Sequence, residues 1–367
     1  MPEATTTQTL THAEFRESIR GQKATLPTFY SLFPEWRPVL HPEYEKVRDD
    51  ILNPWLERWV PNPITARKFQ KAEFGVFAAV MCAKTSFEKL CTVAKAFAWY
   101  FIWDDLFDCG TLSANTEAAL AYRQKSMQYF RAVLSNSDRM PDLSEFSEEL
   151  QHALHCWDEV AAHLRLECSQ DTLSVLLEQK LFYVSSVDTV DMLFRGNRVP
   201  SLAEYWERRE QTAGVYPVIA TIPFIYGIDT SRNDIDTDLM QSLWRHTSYS
   251  VHMINDMFSL RKEIADNQIE NMVPVIMLNE GIDCKEAMRR SHDYVREAAQ
   301  GFRNIEGRLR AQSQSLDLPP RTTLGIQKAF IEGCKNVVMG LTHWSYSGQR
   351  YFRHSEINER NEVEFHI

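Results

Sequence analysis

Asp104-Asp105-Leu106-Phe107-Asp108 follows directly on the apolar run Phe97-Ala98-Trp99-Tyr100-Phe101-Ile102-Trp103. On a helix, Phe97, Tyr100, Asp104 and Asp108 share one face, so an aromatic wall runs into a carboxylate rim. Carboxylates four residues apart repel unless a cation lies between them, and a divalent ion is the usual partner. Much further along, Asn255, Ser259 and Glu263 recur every fourth residue. An amide oxygen, a hydroxyl and a carboxylate suit Mg²⁺, which takes oxygen ligands and tolerates few charges where phosphate also binds. Lys262 lies beside them, within reach of a phosphate oxygen. Val251, Ile254, Met257, Phe258 and Leu260 leave little room for a merely solvated polar stripe. Two such donor faces opposed across a cavity would hold Mg²⁺ and, through it, a diphosphate.

Two further stretches carry weaker signals. Tyr205-Trp206-Glu207-Arg208-Arg209 leads to Thr212-Ala213-Gly214, with Pro217 beyond. A guanidinium fork suits bidentate phosphate recognition, and Gly214 with Pro217 predicts a helix break that exposes a backbone carbonyl. Near the C-terminus, Trp344-Ser345-Tyr346-Ser347-Gly348-Gln349-Arg350-Tyr351 offers another arginine and a phenol. Alone, an arginine on a helix is more often a surface charge.

The elements that must position these groups read as helices. The chain has 367 residues, 44% of them hydrophobic and 25% charged, with only 13 Gly and 15 Pro. That fits a globular protein with a sizeable core and argues against a loop-rich β fold. Twenty Phe, 13 Tyr and 9 Trp imply a large apolar space to line or fill. Residues 1–23 read as a disordered or extended tail and residues 24–42, with Pro27, Pro34 and Pro38, as an extended stretch lying over the body. Helical patterning begins at Glu43. Pro61-Asn62-Pro63, Cys109-Gly110-Thr111, Gly196 to Ser201, Gly227 and Leu318-Pro319-Pro320 punctuate it, and Ser201 with Glu204 forms a capping box. No internal repeat or interdomain linker is visible. The reading is one all-α bundle of about ten or more helices over residues 24–355, with a C-terminal tail at 356–367.

A net charge of −10 disfavours nucleic acid as a partner, since no basic surface is implied. The seven cysteines lack a CxxC pair and read as reduced thiols of an intracellular protein. The N-terminus lacks a secretory pattern, and no apolar run reaches the ~18 residues that span a bilayer. The expected location is the cytoplasm. His152, His155, Cys156 and His163 fall on one helical segment and read as ordinary helix residues rather than a zinc site.

Taken together and in this order, the motifs resemble those of the class I terpene synthases of the microbial, single-α-domain type. Asp104 to Asp108 is similar to that family's aspartate-rich motif. Asn255, Ser259, Lys262 and Glu263 match its second metal motif, Asn-Asp-x-x-Ser-x-x-x-Glu with lysine in the last variable place. Arg209 matches its diphosphate-sensing arginine, and Arg350-Tyr351 its terminal Arg-Tyr pair. Pro200-Ser201-Leu202 before Tyr205, and Asn271-Met272-Val273-Pro274-Val275 after the second motif, add to the likeness, which covers roughly residues 24–355.

The resemblance implies an all-α isoprenoid-synthase bundle enclosing an apolar cavity, and the Mg²⁺-dependent ionisation and cyclisation of a linear isoprenyl diphosphate. Farnesyl diphosphate giving a cyclic sesquiterpene hydrocarbon or alcohol is the first expectation, geranylgeranyl diphosphate the next. Three Mg²⁺ ions are implied, with Mn²⁺ as a substitute. Asp104, Asp108, Asn255, Ser259 and Glu263 would be the metal ligands, with Asp104 binding directly. Arg209, Lys262, Arg350 and Tyr351 would grip the diphosphate. Phe74, Phe77, Phe97, Tyr100 and Trp344 are candidate cavity aromatics that would stabilise a carbocation, and the helix-break carbonyl falls at Ala213 or Gly214. A monomer or homodimer is implied. A chain-elongating prenyltransferase would carry a second aspartate-rich motif where Asn255, Ser259 and Glu263 stand. A non-catalytic helical scaffold would have lost ligands that are all present here.

Overall fold

Thr237 accepts a hydrogen bond from the Met240 amide, and from that cap a helix of 28 residues runs to Ala265. Its apolar residues recur at helical spacing, so Leu243, Trp244, Val251, Ile254 and Phe258 face inward. This helix and the one bearing the aspartates are the two walls on which the rest is built. In the computed structural model, residues 11–108, 110–113, 115–186, 200–312 and 321–367 are described. The Asp108, Arg321 and Thr322 side chains lie outside that description, as do the expected breaks at Cys109, Gly196 to Val199 and Leu318-Pro319-Pro320.

The helices that build or brace the cavity are α1 (His12–Ile19), α2 (Gly75–Met81), α3 (Phe87–Asp108), α4 (Thr116–Leu134), α5 (Gln170–Ser186), α6 (Leu202–Thr212), α7 (Val215–Ile219), α8 (Asp238–Ala265), α9 (Met272–Glu280), α10 (Cys284–Gln312) and α11 (Arg321–Ser347). Shorter helical segments connect them. The long helix α8 packs against α10 on one side and α11 on another, α11 packs on α2, and α2 on α3. Opposite them, α5 packs on α4 and α7.

Helix α3 is apolar on nearly every side, as expected of a helix buried all round. Trp99 and Trp103 are fully buried, and each indole N–H finds an acceptor: Ala153 O at 2.7 Å and Ser126 Oγ at 3.2 Å. Helix α6 starts at the expected capping box. Ser201 N donates to Glu204 Oε2 at 2.8 Å and the Glu204 amide to Ser201 Oγ at 3.2 Å.

Two expectations need correction at the chain ends. Within the tail expected to be disordered or extended, His12–Ile19 is a helix, started by a capping box between Thr11 and Glu14 and anchored by buried Phe15 and Ile19. Strand β1 (Lys23–Leu26) then pairs antiparallel with β2 (Val363–His366) in the C-terminal tail, in the register Lys23 to His366 and Leu26 to Val363. Ala24, Leu26, Val363 and Phe365 turn inward from this ribbon and are buried. The C-terminal tail at 356–367 is thus pinned to the body, and the described residues form one small sheet beside the helices.

Candidate active site

A cavity of 560 Å³ lies between α3, α5, α6, α7, α8 and the segment after α11. From α3, Phe97, Tyr100, Phe101, Asp104 and Phe107 face it, the three- and four-residue steps of one helical face. From α8 come Val251, Asn255, Ser259, Lys262 and Glu263, and from beyond α11 Arg350 and Tyr351. Arg209 and Ala213 also line it. The two motifs therefore meet at one cavity. Its lining includes exposed Ser113, Asp266 and Asn267 and also Phe77 and Phe97, 2% and 7% exposed, with Val218, Val337 and Leu341.

A chain of polar contacts joins the motifs. The Tyr183 hydroxyl donates to Asp104 Oδ1 at 3.2 Å. Arg350 lies 3.5 Å from Asp105, and the next residue, Tyr351, accepts from Asn255 Nδ2 at 2.9 Å. Asn255 Oδ1 in turn accepts from Arg209 Nη2 at 3.2 Å. Arg209 is held by Asp256 Oδ1, 2.7 Å from Nη2 and 3.1 Å from Nε. The other oxygen of Asp256 accepts from the Tyr205 hydroxyl at 2.5 Å and the Met272 amide at 2.8 Å. Asn271 caps α9 and donates to the Asp256 carbonyl at 2.6 Å and to Glu263 Oε2 at 2.9 Å.

The electrostatics follow from burial. Burial and the neighbouring Asp256 push the Glu263 carboxyl up to about 7, against the opposing pull of Arg209, Asn271 and Ser259. Burial disfavours the charges of Arg209 and Arg350. Asp256 and Tyr205 for the first, and Tyr351 and Asp105 for the second, outweigh it, so both guanidinium groups move up. Burial raises the Tyr351 phenol, against the pull of Arg350. Burial and Arg350 oppose the Lys262 ammonium, yet its pKa rises because Asp266 stands 3.0 Å away. Among the described residues, Arg350 Nε and Nη1 are buried without a hydrogen-bond partner. Such donors beside a cavity suit an oxyanion.

Asp104, Asn255, Ser259 and Glu263 form an all-oxygen donor set with few charges, which fits Mg²⁺ or Mn²⁺ better than a thiophilic ion. No three His, Cys, Asp or Glu residues group as metal ligands among the described residues. The amide and hydroxyl of Asn255 and Ser259 carry the second motif instead. The histidines read as ordinary residues of one helical segment fall on two helices, Glu148–His155 and Asp158–Glu167, with separate partners: His155 with Asp158, His163 with Thr92, and His152 beside Trp59.

The helix break is resolved by backbone geometry. Thr212 ends α6, Ala213 caps it, and Gly214 takes a left-handed φ of 67° before α7. A Cβ there would also sit 3.2 Å from the Tyr183 ring. Ala213 and Gly214 both border the cavity.

Two candidate aromatics do not line it. Phe74 stacks on Phe101 from behind, with centroids 4.3 Å apart. Trp344 lies in the same second layer and donates its indole N–H to Ala72 O at 2.6 Å. Both are fully buried. The rotation of α3 brings Phe101 to the surface of the cavity and leaves these two behind it. Asp105, Tyr183, Asp256 and Asn271 were not among the candidates, although Asp105 and Asp256 sit inside the motifs and Asn271 in the stretch after the second one. Behind Tyr100 lies a further buried group, Lys180. Its Nζ stands 3.3 Å above the Trp99 ring, 4.1 Å from Tyr100, 4.8 Å from Trp157 and 5.0 Å from Phe130, with no hydrogen bond.

The pattern described as terpene synthase family 2, C-terminal metal binding, matches residues 95–300, more than half of the chain. The sesquiterpene cyclase hepA of Aspergillus oryzae is 24% identical over 331 residues, covering 89% of this chain and 88% of its own length. The terpene cyclase braA of Annulohypoxylon truncatum is 24% identical, covering 94% and 90%. In fold, the chain is similar to the linalool/nerolidol synthase of Streptomyces clavuligerus, with a TM-score of 0.71 at 16% identity over 84% of this chain and 98% of that one.

Proposed function

The chain belongs to the terpene synthase family, and on that premise we propose that it ionises and cyclises a linear isoprenyl diphosphate, with farnesyl diphosphate as the substrate and a cyclic sesquiterpene hydrocarbon or alcohol as the product. The observation that carries the reading is the convergence of both motifs and both arginines on one cavity that Phe77, Phe97, Tyr100 and Phe101 also line. A polar rim for the diphosphate and an inert lining for the hydrocarbon are what such a substrate requires. The similarity to a sesquiterpene cyclase supports the fifteen-carbon choice.

In this reading, Asp104, Asp108, Asn255, Ser259 and Glu263 hold Mg²⁺, three ions in all, with Mn²⁺ as a substitute. Bound there, the metal supplies Lewis-acid stabilisation of the leaving diphosphate. Arg209, Lys262, Arg350 and Tyr351 bind the diphosphate oxygens and help exclude water. Donors oriented before the anion forms would offer it a fixed field rather than solvent. Phe77, Phe97, Phe101 and Tyr100 present ring faces to the carbocation, which they stabilise without capturing it. The carbonyls at the Ala213–Gly214 break add a negative dipole beside the same space. No helix among the described residues is long and apolar enough to cross a membrane.

Incubation with Mg²⁺ and the C10, C15 and C20 diphosphates, followed by gas chromatography of the extract, tests the proposal. Cyclic C15 products are expected. Products from C20 alone would move the reading to a diterpene cyclase, and a longer diphosphate would make it a prenyltransferase. No turnover of any of the three would end the enzymatic reading. Asp104→Ala and Asn255→Ala should each abolish or cripple turnover with helix content intact by circular dichroism. Wild-type rates in both would remove the metal assignment.

A further inference from the structure

The diphosphate-binding pair Arg350-Tyr351 stands on a segment without regular structure, since α11 ends at Ser347. Something other than a helix must hold it. Arg261 lies on α8 two residues after Ser259, so its side chain leaves the helix on the far side from the metal motif, and it is not part of the cavity lining. Its Nη1 donates to Glu356 Oε1 at 2.6 Å, and its Nη2 to Glu356 Oε2 at 3.3 Å and to the Tyr351 carbonyl at 3.0 Å. The guanidinium also lies 4.6 Å from the Phe352 ring centre. The same carboxylate accepts from the Arg353 amide at 2.7 Å, closing the turn over residues 353–356.

We propose that Arg261 is a positioning residue of the diphosphate site, fastening the Arg350-Tyr351 segment to the helix that carries Asn255, Ser259 and Glu263. The inference rests on the reading of that site given above. Helix α8 grips Tyr351 twice. Arg261 holds its main chain, while Asn255 Nδ2 donates to its hydroxyl at 2.9 Å. The second contact fixes the Asn255 amide with its nitrogen toward Tyr351 and its oxygen toward Arg209. Releasing the Tyr351 main chain would therefore loosen a diphosphate-binding phenol, the neighbouring Arg350 and the orientation of a metal-binding amide together. Outer partners of metal ligands act in this way. The Arg261 side chain is 34% exposed, so truncating it opens no hole in the core.

The test compares Arg261→Met with wild type in three measurements: calorimetric titration of inorganic diphosphate at saturating Mg²⁺, steady-state turnover of farnesyl diphosphate, and thermal melting. Affinity for diphosphate is expected to weaken about tenfold, with kcat/KM falling in parallel and melting within about 2 °C of wild type. Arg261→Lys keeps the charge but cannot fork between carboxylate and carbonyl, so it should fall between the two. Wild-type diphosphate affinity in folded Arg261→Met overturns the proposal. Should that variant not fold, Arg261→Lys and Glu356→Gln decide it, and wild-type affinity in both is refutation. If the wild-type protein itself fails to bind diphosphate with Mg²⁺, the reading of the site falls first and the proposal with it.

Discussion

Asp256→Asn changes one atom type in a fully buried side chain, and the surrounding contacts say how much that matters. The carboxylate accepts four hydrogen bonds, two from Arg209, one from Tyr205 and one from the Met272 amide. An asparagine amide has one oxygen and one NH₂ group. If the NH₂ faces Arg209, donors oppose donors and the guanidinium loses its counter-charge. If it faces Tyr205, it opposes the Met272 N–H. Arg209 is 18% exposed and Asp256 1%, so water cannot repair either arrangement. Removing one partner of a buried ion pair costs about 3–5 kcal/mol, a large fraction of the roughly 5–15 kcal/mol that a folded protein has in total. Reversible urea unfolding of Asp256→Asn should show a loss of that size. Arg209→Gln in the same chain should recover part of it, because the stranded charge is then gone. Turnover should fall as well, since Arg209 is no longer held beside Asn255. A loss below about 1 kcal/mol, or strict additivity of the two substitutions, would refute the view that Asp256 is the anchor of Arg209.

Three further outcomes follow. With Glu263 pushed up to about 7 by burial and Asp256, metal binding must expel its proton below that pH, so Mg²⁺ affinity should rise from pH 6 to pH 8 with proton release in calorimetry; an affinity flat over that range would contradict this. Gly214→Ala should destabilise by about 1–2 kcal/mol from the left-handed backbone alone, and Mg²⁺ affinity should fall as Tyr183 is pushed from Asp104; unchanged urea unfolding would show the break relaxes freely. Burial holds the Lys180 amine well below its usual pKa, which disfavours the folded state below the unfolded pKa and does so less as pH rises toward it. Lys180→Met should thus be neutral or stabilising at pH 7, with its advantage shrinking toward pH 10; a destabilised variant at pH 7 would mean that the aromatic cage favours the charged amine.

Much of the site was legible because its chemistry imposes spacing. Ligands that share an ion would have to recur at three or four residues on a helix, and the candidates Asn255, Ser259 and Glu263 do so on α8. The capping box at Ser201 and Glu204 is local and was equally visible. What was hidden depends on contacts between distant parts of the chain. Whether Phe74 or Phe101 meets the cavity is set by the rotation of α3 against α2 and α11, which composition does not encode. Asp256 stands one residue from Asn255 but about 100° around the helix, and only the arrival of Tyr205, Arg209 and Met272 makes it an anchor. Four-residue strands at positions 23 and 363 have no local signal, because each is defined by the other.

That ribbon has a consequence for the order of folding. Lys23 and His366 are paired across almost the entire chain, and bringing such distant segments together carries a large loop-closure entropy. Helices and their near neighbours can dock first, and pairings of this contact order come late. The ribbon closes beside the turn over residues 353–356, so a partly folded chain can assemble its aromatic chamber before the Arg350-Tyr351 segment is in place.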